Sequence, residues 1–183
     1  LAKMIDHTVL RADAAQGDVA TLCDEAVHHG FAAVSINPAW VSFCAKKLEG
    51  AGVLVNATIG FPLGANTAAV KVAEARDAVK NGATELDMVI NVGALKSGYA
   101  DFVEKEIAAV VKAAEGVPIK VILETSLLNT DEKIAVCEMT MRSGAAFVKT
   151  STGFGRAGAT TDDVALMRQV VGTKLGVKAA GGI

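Results

Sequence analysis

Cysteine, histidine and proline are scarce in this sequence of 183 residues, which contains three of each. The histidines do not have the spacing of metal ligands, and no CxxC pair occurs among the cysteines, which are Cys23, Cys44 and Cys137. This usage argues against a disulfide framework or a zinc site and is typical of a reducing compartment. We therefore predict neither structural disulfides nor a metal centre.

A strong net charge and long apolar runs are also missing. The formal net charge is −2, which leaves no electrostatic basis for binding nucleic acid or an anionic membrane. No apolar run approaches the roughly 20 residues of a membrane span, and no basic-then-apolar signal segment opens the chain. These absences predict a cytoplasmic protein that binds neither nucleic acid nor membranes.

What the sequence does contain is a repeated unit rich in apolar residues. Apolar residues make up 51% of the chain, and its length suffices for one domain with a sizeable core. About every 30 residues, a glycine precedes a short apolar strand, a polar loop and an amphipathic helix. Each glycine stands where the preceding helix needs a terminal residue with positive φ. The strand entries begin at Gly30, Gly52, Gly82, Gly116, Gly144 and Gly176, and one more strand, Met4 to Leu10, opens the chain.

The alternation of strand and helix predicts parallel βαβ units with right-handed crossovers. Successive strand residues point to opposite faces, so the two side-chain parities can be compared. One parity is largely apolar, whereas the other carries polar groups that include Ser35, Asn56, Asp87, Lys120 and Lys149. A doubly wound sheet needs two apolar parities, but a closed barrel can hold a polar site inside. The pattern therefore favours a (β/α)8 TIM barrel.

Only seven strands are visible, whereas a complete barrel of this type has eight. The seventh strand is followed only by Gly181-Gly182-Ile183. Roughly 30 to 40 further residues would supply one more strand and helix. We therefore expect residues 1–183 to form a single (β/α) barrel domain that is C-terminally incomplete.

Three charged residues of the inward parity are candidates for the site, because the chemistry of such barrels lies at the C-terminal ends of the strands. Asp87, Lys149 and Lys178 belong to strands four, six and seven, of which six and seven are neighbours. Two ammonium groups in a partly dry site repel each other, so one of them loses affinity for its proton. A neutral lysine amine is a nucleophile that forms Schiff bases with carbonyl compounds. Alternatively, the three residues form an internal Lys-Asp-Lys network without catalysis.

Two further features follow strands six and seven. Thr152 comes after Lys149 and two more hydroxyl residues, and it is a candidate to join a proton relay with Asp87. Exposed backbone N–H groups at glycines can bind a phosphate, as loops late in these barrels often do. The candidates are Gly153, Gly181 and Gly182. A Gly-Gly pair is equally compatible with a plain turn.

Six motifs, in order along the whole chain, resemble those of one known family. They are Ile5-Asp6-His7-Thr8, Ile36-Asn37-Pro38, Gly60-Phe61-Pro62-Leu63-Gly64, Glu85-Leu86-Asp87-Met88-Val89, Val148-Lys149-Thr150-Ser151-Thr152-Gly153-Phe154 and Lys178-Ala179-Ala180-Gly181-Gly182-Ile183. The sequence is similar in these motifs to the deoxyribose-phosphate aldolases, and the lysine motif is the most specific of them.

The resemblance implies a class I aldolase that uses neither metal nor cofactor and is built on a (β/α)8 barrel. Such an enzyme interconverts 2-deoxy-D-ribose 5-phosphate with acetaldehyde and D-glyceraldehyde 3-phosphate. By motif, Lys149 matches the Schiff-base lysine, Lys178 the lysine that perturbs it, and Asp87 the proton-relay carboxylate. The family's backbone phosphate contacts match Gly153, Gly181 and Gly182. A homodimer or a higher homo-oligomer is compatible with this interpretation.

The chain departs from the family pattern in two places. It ends before the eighth strand, whose serine-containing turn completes the phosphate site of the family. In addition, Ser35 stands where some members have a cysteine. Two alternative functions stay open: another lysine-dependent barrel lyase, such as a transaldolase-like or keto-acid aldolase, and a non-catalytic binding barrel.

Overall fold

A computed structural model describes all residues from 1 to 183, and strands alternate with helices along it. The strands are β1 (Asp6–Val9), β2 (Ala33–Ile36), β3 (Leu54–Ile59), β4 (Glu85–Val89), β5 (Ile119–Ile122), β6 (Phe147–Lys149) and β7 (Gly176–Lys178). The helices are α1 (Gln16–His29), α2 (Val41–Lys47), α3 (Ala68–Lys80), α4 (Val92–Lys96), α5 (Ala100–Ala113), α6 (Thr130–Arg142) and α7 (Thr161–Val171).

The seven strands form one parallel sheet in which each strand pairs with its neighbours in sequence. In a flat sheet, six spacings of about 4.8 Å would separate β1 from β7 by roughly 29 Å. Instead, the side chain of Asp6 on β1 contacts that of Lys178 on β7, and it lies 3.5 Å from Lys120 on β5. The sheet is therefore strongly curled, and the predicted TIM-barrel architecture with seven strands is confirmed.

Two features differ from the sequence prediction. β1 is shorter than the predicted Met4 to Leu10, because Ala2–Met4 forms a 3₁₀ turn in which Ile5 N donates to Ala2 O. The strict alternation of strand and helix also has an exception, since both α4 and α5 lie between β4 and β5. Gly98, with φ of 81°, lies in the turn between these two helices.

Gly176 has a different role from the one predicted. It is the first residue of β7, and the positive φ at the end of α7 belongs to Gly172 instead. A Cβ atom at Gly176 would lie 2.0 Å from the ring of Phe147 on the adjacent strand. Glycine is therefore required at this position by close packing between β6 and β7, and not by backbone conformation.

The two faces of the sheet match the two parities of the sequence. Outward residues such as Leu86, Met88, Val121 and Val148 are fully buried within one hydrophobic cluster of 37 residues. Inward residues are polar and contact one another, as Asn56 does by donating to Ser35 Oγ at 3.0 Å. No helix combines the length and apolar character that crossing a membrane requires. The helices thus cover the outer face, and the interior holds the polar groups.

Candidate active site

The two lysines of interest lie side by side on neighbouring strands. Lys149 ends β6 and Lys178 ends β7, and the strand register pairs them directly. Lys149 is 5% exposed, and its ammonium group donates a hydrogen bond to Asp87 Oδ2. Asp87 belongs to β4 and is fully buried. Because β5 separates β4 from β6, this contact crosses part of the barrel interior.

Lys178 has a different carboxylate partner. Its Nζ donates a hydrogen bond to Oδ2 of Asp6, which lies on β1. The structure therefore gives each of the two lysines its own carboxylate, where the sequence had suggested only Asp87 for both. Asp6 was missed because the comparison of parities did not include the opening strand, Met4 to Leu10.

A third lysine, Lys120 on β5, connects these two ion pairs. Its Nζ lies 2.6 Å from Glu85 Oε2, 3.4 Å from Asp87 Oδ1 and 3.5 Å from Asp6 Oδ2. Positive and negative groups thus alternate through the barrel interior in the order Lys149, Asp87, Lys120, Asp6 and Lys178. Parity had placed Lys120 on the inner face, but its position away from the strand end kept it out of the predicted site.

Burial and neighbouring opposite charges have opposing effects on the pKa values of these alternating lysines and carboxylates. Burial favours the neutral form of Asp87, but the ammonium groups of Lys149 and Lys120 outweigh it and hold the pKa of Asp87 below its ordinary value. Burial also disfavours the charge of Lys120, but Asp87, Asp6 and a third carboxylate raise its pKa.

The pKa of Lys178 is lowered from its ordinary value. The main cause is burial, which outweighs the opposing effect of Asp6, and the charges of Lys120 and Lys149 contribute further. The sequence had attributed the expected loss of proton affinity to repulsion between two lysines. In the structure, removal from water comes first and repulsion between ammonium groups is secondary.

Thr152 contacts a carboxylate other than Asp87. Its hydroxyl and its backbone N–H both donate to Glu124 Oε2, the N–H at 3.2 Å. Glu124 follows β5, has φ of 56° and is 5% exposed. Glu124 was not among the predicted site residues, because a left-handed backbone at glutamate has no local sequence signal.

The glycines predicted to bind phosphate come together at the ends of β6 and β7. Gly153, Gly181 and Gly182 all have positive φ, between 76° and 84°. A Cβ atom at Gly181 would lie 3.3 Å from the Cα of Gly153, so the two turns approach closely. The N–H groups of these three glycines donate no hydrogen bond within residues 1–183. The structure thus clusters free backbone donors beside the two lysines.

This end of the barrel combines a lysine amine, carboxylates and backbone N–H groups without partners. A lysine amine next to a carboxylate is suited to condensation with a carbonyl group, since the reaction needs protons to be moved between nitrogen, oxygen and water. Free N–H groups in a concave glycine turn are suited to an anion such as phosphate. The arrangement favours a substrate with a carbonyl group at one end and a phosphate at the other.

Comparison with known sequences identifies relatives along the whole chain. The family model described as DeoC/LacD family aldolase matches residues 1–183. A deoxyribose-phosphate aldolase of Geobacillus sp. (strain WCH70) is 54% identical over 184 residues, which cover 100% of this chain and 82% of the relative. The enzyme of the same name from Streptococcus sanguinis (strain SK36) is 54% identical over 182 residues, covering 100% of this chain and 83% of the relative.

Comparison with solved structures agrees with the fold. The structure of a tetrameric deoxyribose phosphate aldolase from Aeropyrum pernix superimposes with a TM-score of 0.92 and 35% sequence identity. The match covers 100% of this chain and 77% of the Aeropyrum chain. The curled seven-stranded sheet is therefore the arrangement found in an aldolase of known structure.

Proposed function

Because the chain belongs to the DeoC/LacD family of aldolases, we propose that it cleaves 2-deoxy-D-ribose 5-phosphate to D-glyceraldehyde 3-phosphate and acetaldehyde. It is thus a carbon–carbon lyase of deoxyribose phosphate catabolism that acts through a lysine Schiff base. The observation that carries this conclusion is the similarity, along the full chain, to enzymes named for that reaction.

In this proposal, Lys149 is the nucleophile. Its neutral amine attacks the C1 aldehyde of the open-chain sugar, and the resulting carbinolamine takes up a proton on its hydroxyl group, loses water and becomes an iminium ion. The support for Lys149 is its burial beside Asp87, which contacts the reacting nitrogen directly. A carboxylate at that position stabilises the positive charge of the iminium ion.

The C2–C3 bond then breaks with the iminium ion as the electron acceptor. The C3 hydroxyl must lose its proton as the bond breaks, and we assign its acceptance to Asp87 through a water molecule, together with Lys178. Lys178 suits this role because burial lowers its pKa. Glyceraldehyde 3-phosphate departs, the enamine is protonated at C2, and hydrolysis releases acetaldehyde. We also propose Thr152 for this relay, although its hydroxyl donates to Glu124 and makes no hydrogen bond to Asp87.

We propose that the substrate phosphate binds the free N–H groups of Gly153, Gly181 and Gly182. The support is that these groups lack partners within the protein and that two of the glycines are packed against each other. Backbone donors bind an anion without the entropy loss of long basic side chains, because the turns are already ordered.

We further propose that residues 1–183 act as one domain within a homodimer or a higher homo-oligomer in the cytoplasm. One hydrophobic cluster extends from Val19 to Leu175, which supports a single folding unit. The Aeropyrum relative is tetrameric, which supports self-association. A charged sugar phosphate stays in the compartment where it is made, and this supports a cytoplasmic site.

Reductive trapping tests the assignment of the nucleophile. Borohydride added in the presence of acetaldehyde reduces an iminium ion to a stable ethyl group on the reacting lysine. We expect peptide mapping to find this group on Lys149 and to find none on Lys71, a buried lysine outside the barrel interior. In a Lys149→Met variant the label should disappear while the thermal unfolding transition remains.

Different outcomes would support the alternatives. Labelling of Lys178 instead of Lys149 would refute the nucleophile assignment. Cleavage of a keto-acid substrate, with no turnover of deoxyribose 5-phosphate, would favour another lysine-dependent lyase. If neither deoxyribose 5-phosphate nor keto-acid substrates are cleaved, but phosphate still binds, a non-catalytic binding barrel would be favoured.

A further inference from the structure

Glu124 is a buried carboxylate that the proposed reaction steps do not use. It lies just after β5, is 5% exposed and has a left-handed backbone with φ of 56°. A residue other than glycine keeps this conformation only when its surroundings hold it there. Contacts with neighbouring residues must therefore hold Glu124 in this strained conformation.

One carboxylate oxygen of Glu124 organises the turn that follows β6. Oε2 accepts hydrogen bonds from the backbone N–H and the hydroxyl group of Thr152. The Thr152 hydroxyl oxygen in turn accepts from Phe154 N at 3.1 Å. Gly153 lies between these two residues, and its own N–H is free. The carboxylate thus fixes the peptide units on both sides of a proposed phosphate donor.

The other carboxylate oxygen lies against the far side of the same loop. Oε1 has no hydrogen-bond partner, and a Cβ atom at Gly155 would be only 2.9 Å from it. The segment from Thr152 to Gly155 therefore wraps closely around the Glu124 side chain. A change in the position of this carboxylate would move the segment as a whole.

We propose that Glu124 is a positioning residue that sets the preference of the enzyme for a phosphorylated substrate. It does so by holding Thr152 and Phe154, so that the Gly153 N–H points at the phosphate group. This inference rests on the proposed function, because it uses the phosphate site assigned to the Gly153 turn. Glu124 touches neither the phosphate nor the reacting carbon atoms in this role.

Two substitutions at Glu124 separate its hydrogen bonds from its backbone strain. Glu124→Gly deletes the carboxylate and adopts the left-handed φ freely, whereas Glu124→Gln keeps one oxygen to accept both bonds from Thr152. With Glu124→Gly we expect KM for deoxyribose 5-phosphate to rise about 10-fold or more at nearly constant kcat, the pattern of lost ground-state binding. With Glu124→Gln we expect KM to stay within about 3-fold of wild type.

Unphosphorylated deoxyribose and a matched variant provide the controls. The value of kcat/KM for deoxyribose should change by less than about 3-fold in both Glu124 variants, because this sugar does not use the phosphate turn. Glu115 is the other glutamate with a left-handed backbone, with φ of 52°, and it is exposed. Glu115→Gly therefore makes the same change away from the site and should leave both substrates unaffected.

A third variant keeps Glu124 itself intact. Gly155 does not have a positive φ, so Gly155→Ala adds a methyl group against Oε1 without backbone strain. We expect this methyl group to displace the carboxylate and to reproduce the rise in KM for the phosphorylated sugar. Competitive inhibition by inorganic phosphate should weaken about 10-fold in parallel, and this measurement decides the question if Glu124→Gly does not fold.

Three results would overturn the role of Glu124. They are an unchanged KM in both Glu124→Gly and Gly155→Ala, an equal loss for deoxyribose and its phosphate, and a Glu124→Gln variant as impaired as Glu124→Gly. Failure of the proposed function is recognised separately, because it would appear as absence of acetaldehyde trapping on Lys149 in the wild-type protein. The inorganic phosphate measurement would still test Glu124 in that case.

Discussion

The buried ion pair between Lys71 and Glu106 supports a sharp prediction about stability. Lys71 on α3 and Glu106 on α5 have no exposed side-chain surface, and Nζ lies 2.8 Å from Glu106 Oε2. Nζ also donates to Val89 O at 2.9 Å, whereas Glu106 Oε1 has no partner. Burial lowers the pKa of Lys71 and raises the pKa of Glu106. Each charge is therefore tolerated in the interior only because the other is present.

The contacts set the size of the expected effects. Lys71→Met leaves Glu106 buried without its partner, which typically costs about 3–5 kcal/mol. That is a large part of the roughly 5–15 kcal/mol by which a domain is stable. Combining Lys71→Met with Glu106→Leu removes both charges and is expected to be nearly neutral for the pair itself. The double variant still loses the donor to Val89 O, so we expect it to lie about 1–3 kcal/mol below wild type.

Urea unfolding followed by circular dichroism at neutral pH measures these free energies in a double-mutant cycle. The m-values of all variants should agree, since otherwise the unfolded or native states differ. Lys96→Met is the matched control, because Lys96 pairs with Glu132 at 2.6 Å but is 43% exposed. This control should cost no more than about 1 kcal/mol. A loss below about 1 kcal/mol for Lys71→Met, or a double variant less stable than Lys71→Met alone, would refute the reasoning.

Three further predictions address other parts of the molecule. Lys120→Met removes a cation 3.4 Å from Asp87, whose pKa in the folded protein is lowered. Ionised Asp87 therefore stabilises the fold above the unfolded pKa of 3.8, and this stabilisation is lost as the pH falls through the folded pKa. The acid unfolding midpoint should therefore move to higher pH, and an unchanged midpoint would contradict this. Ser35→Cys should make the enzyme inactivate faster in concentrated acetaldehyde. Acetaldehyde condenses with itself to an unsaturated aldehyde, to which a thiolate adds readily and a hydroxyl hardly at all. Equal inactivation rates of wild type and variant would count against this prediction. Gly60→Ala should lower the unfolding free energy more than Gly50→Ala does. Both glycines have positive φ, but only at Gly60 would a Cβ atom meet a side chain, at 2.8 Å. Equal losses of unfolding free energy in the two variants, measured with urea, would show that this contact relaxes freely.

The sequence by itself was sufficient to predict the architecture and the face of the sheet that carries the buried charged groups. Each of the seven predicted strands corresponds to an observed strand, and Asp87 and Lys149 meet inside the barrel as their shared parity suggests. Both results depend on periodicity, which is a local property of the chain: helical and extended backbones repeat every 3.6 and 2 residues. Local boundaries were less predictable, since the 3₁₀ turn at Ala2–Met4 and the five-residue helix α4 are too short to show a periodic pattern.

Only the tertiary structure decided which charged groups are paired. Lys178 binds Asp6, which is 172 positions away in sequence, and Lys120 joins two ion pairs that parity alone could not connect. The carboxylate that holds the turn after β6 comes from Glu124, whose left-handed backbone has no sequence signature. Parity states which face a side chain occupies, but its partner depends on the curvature of the sheet and on distances across the barrel. These distances arise only when all seven strands are assembled, because each pair of neighbouring strands adds a part of the curl that brings β1 close to β7.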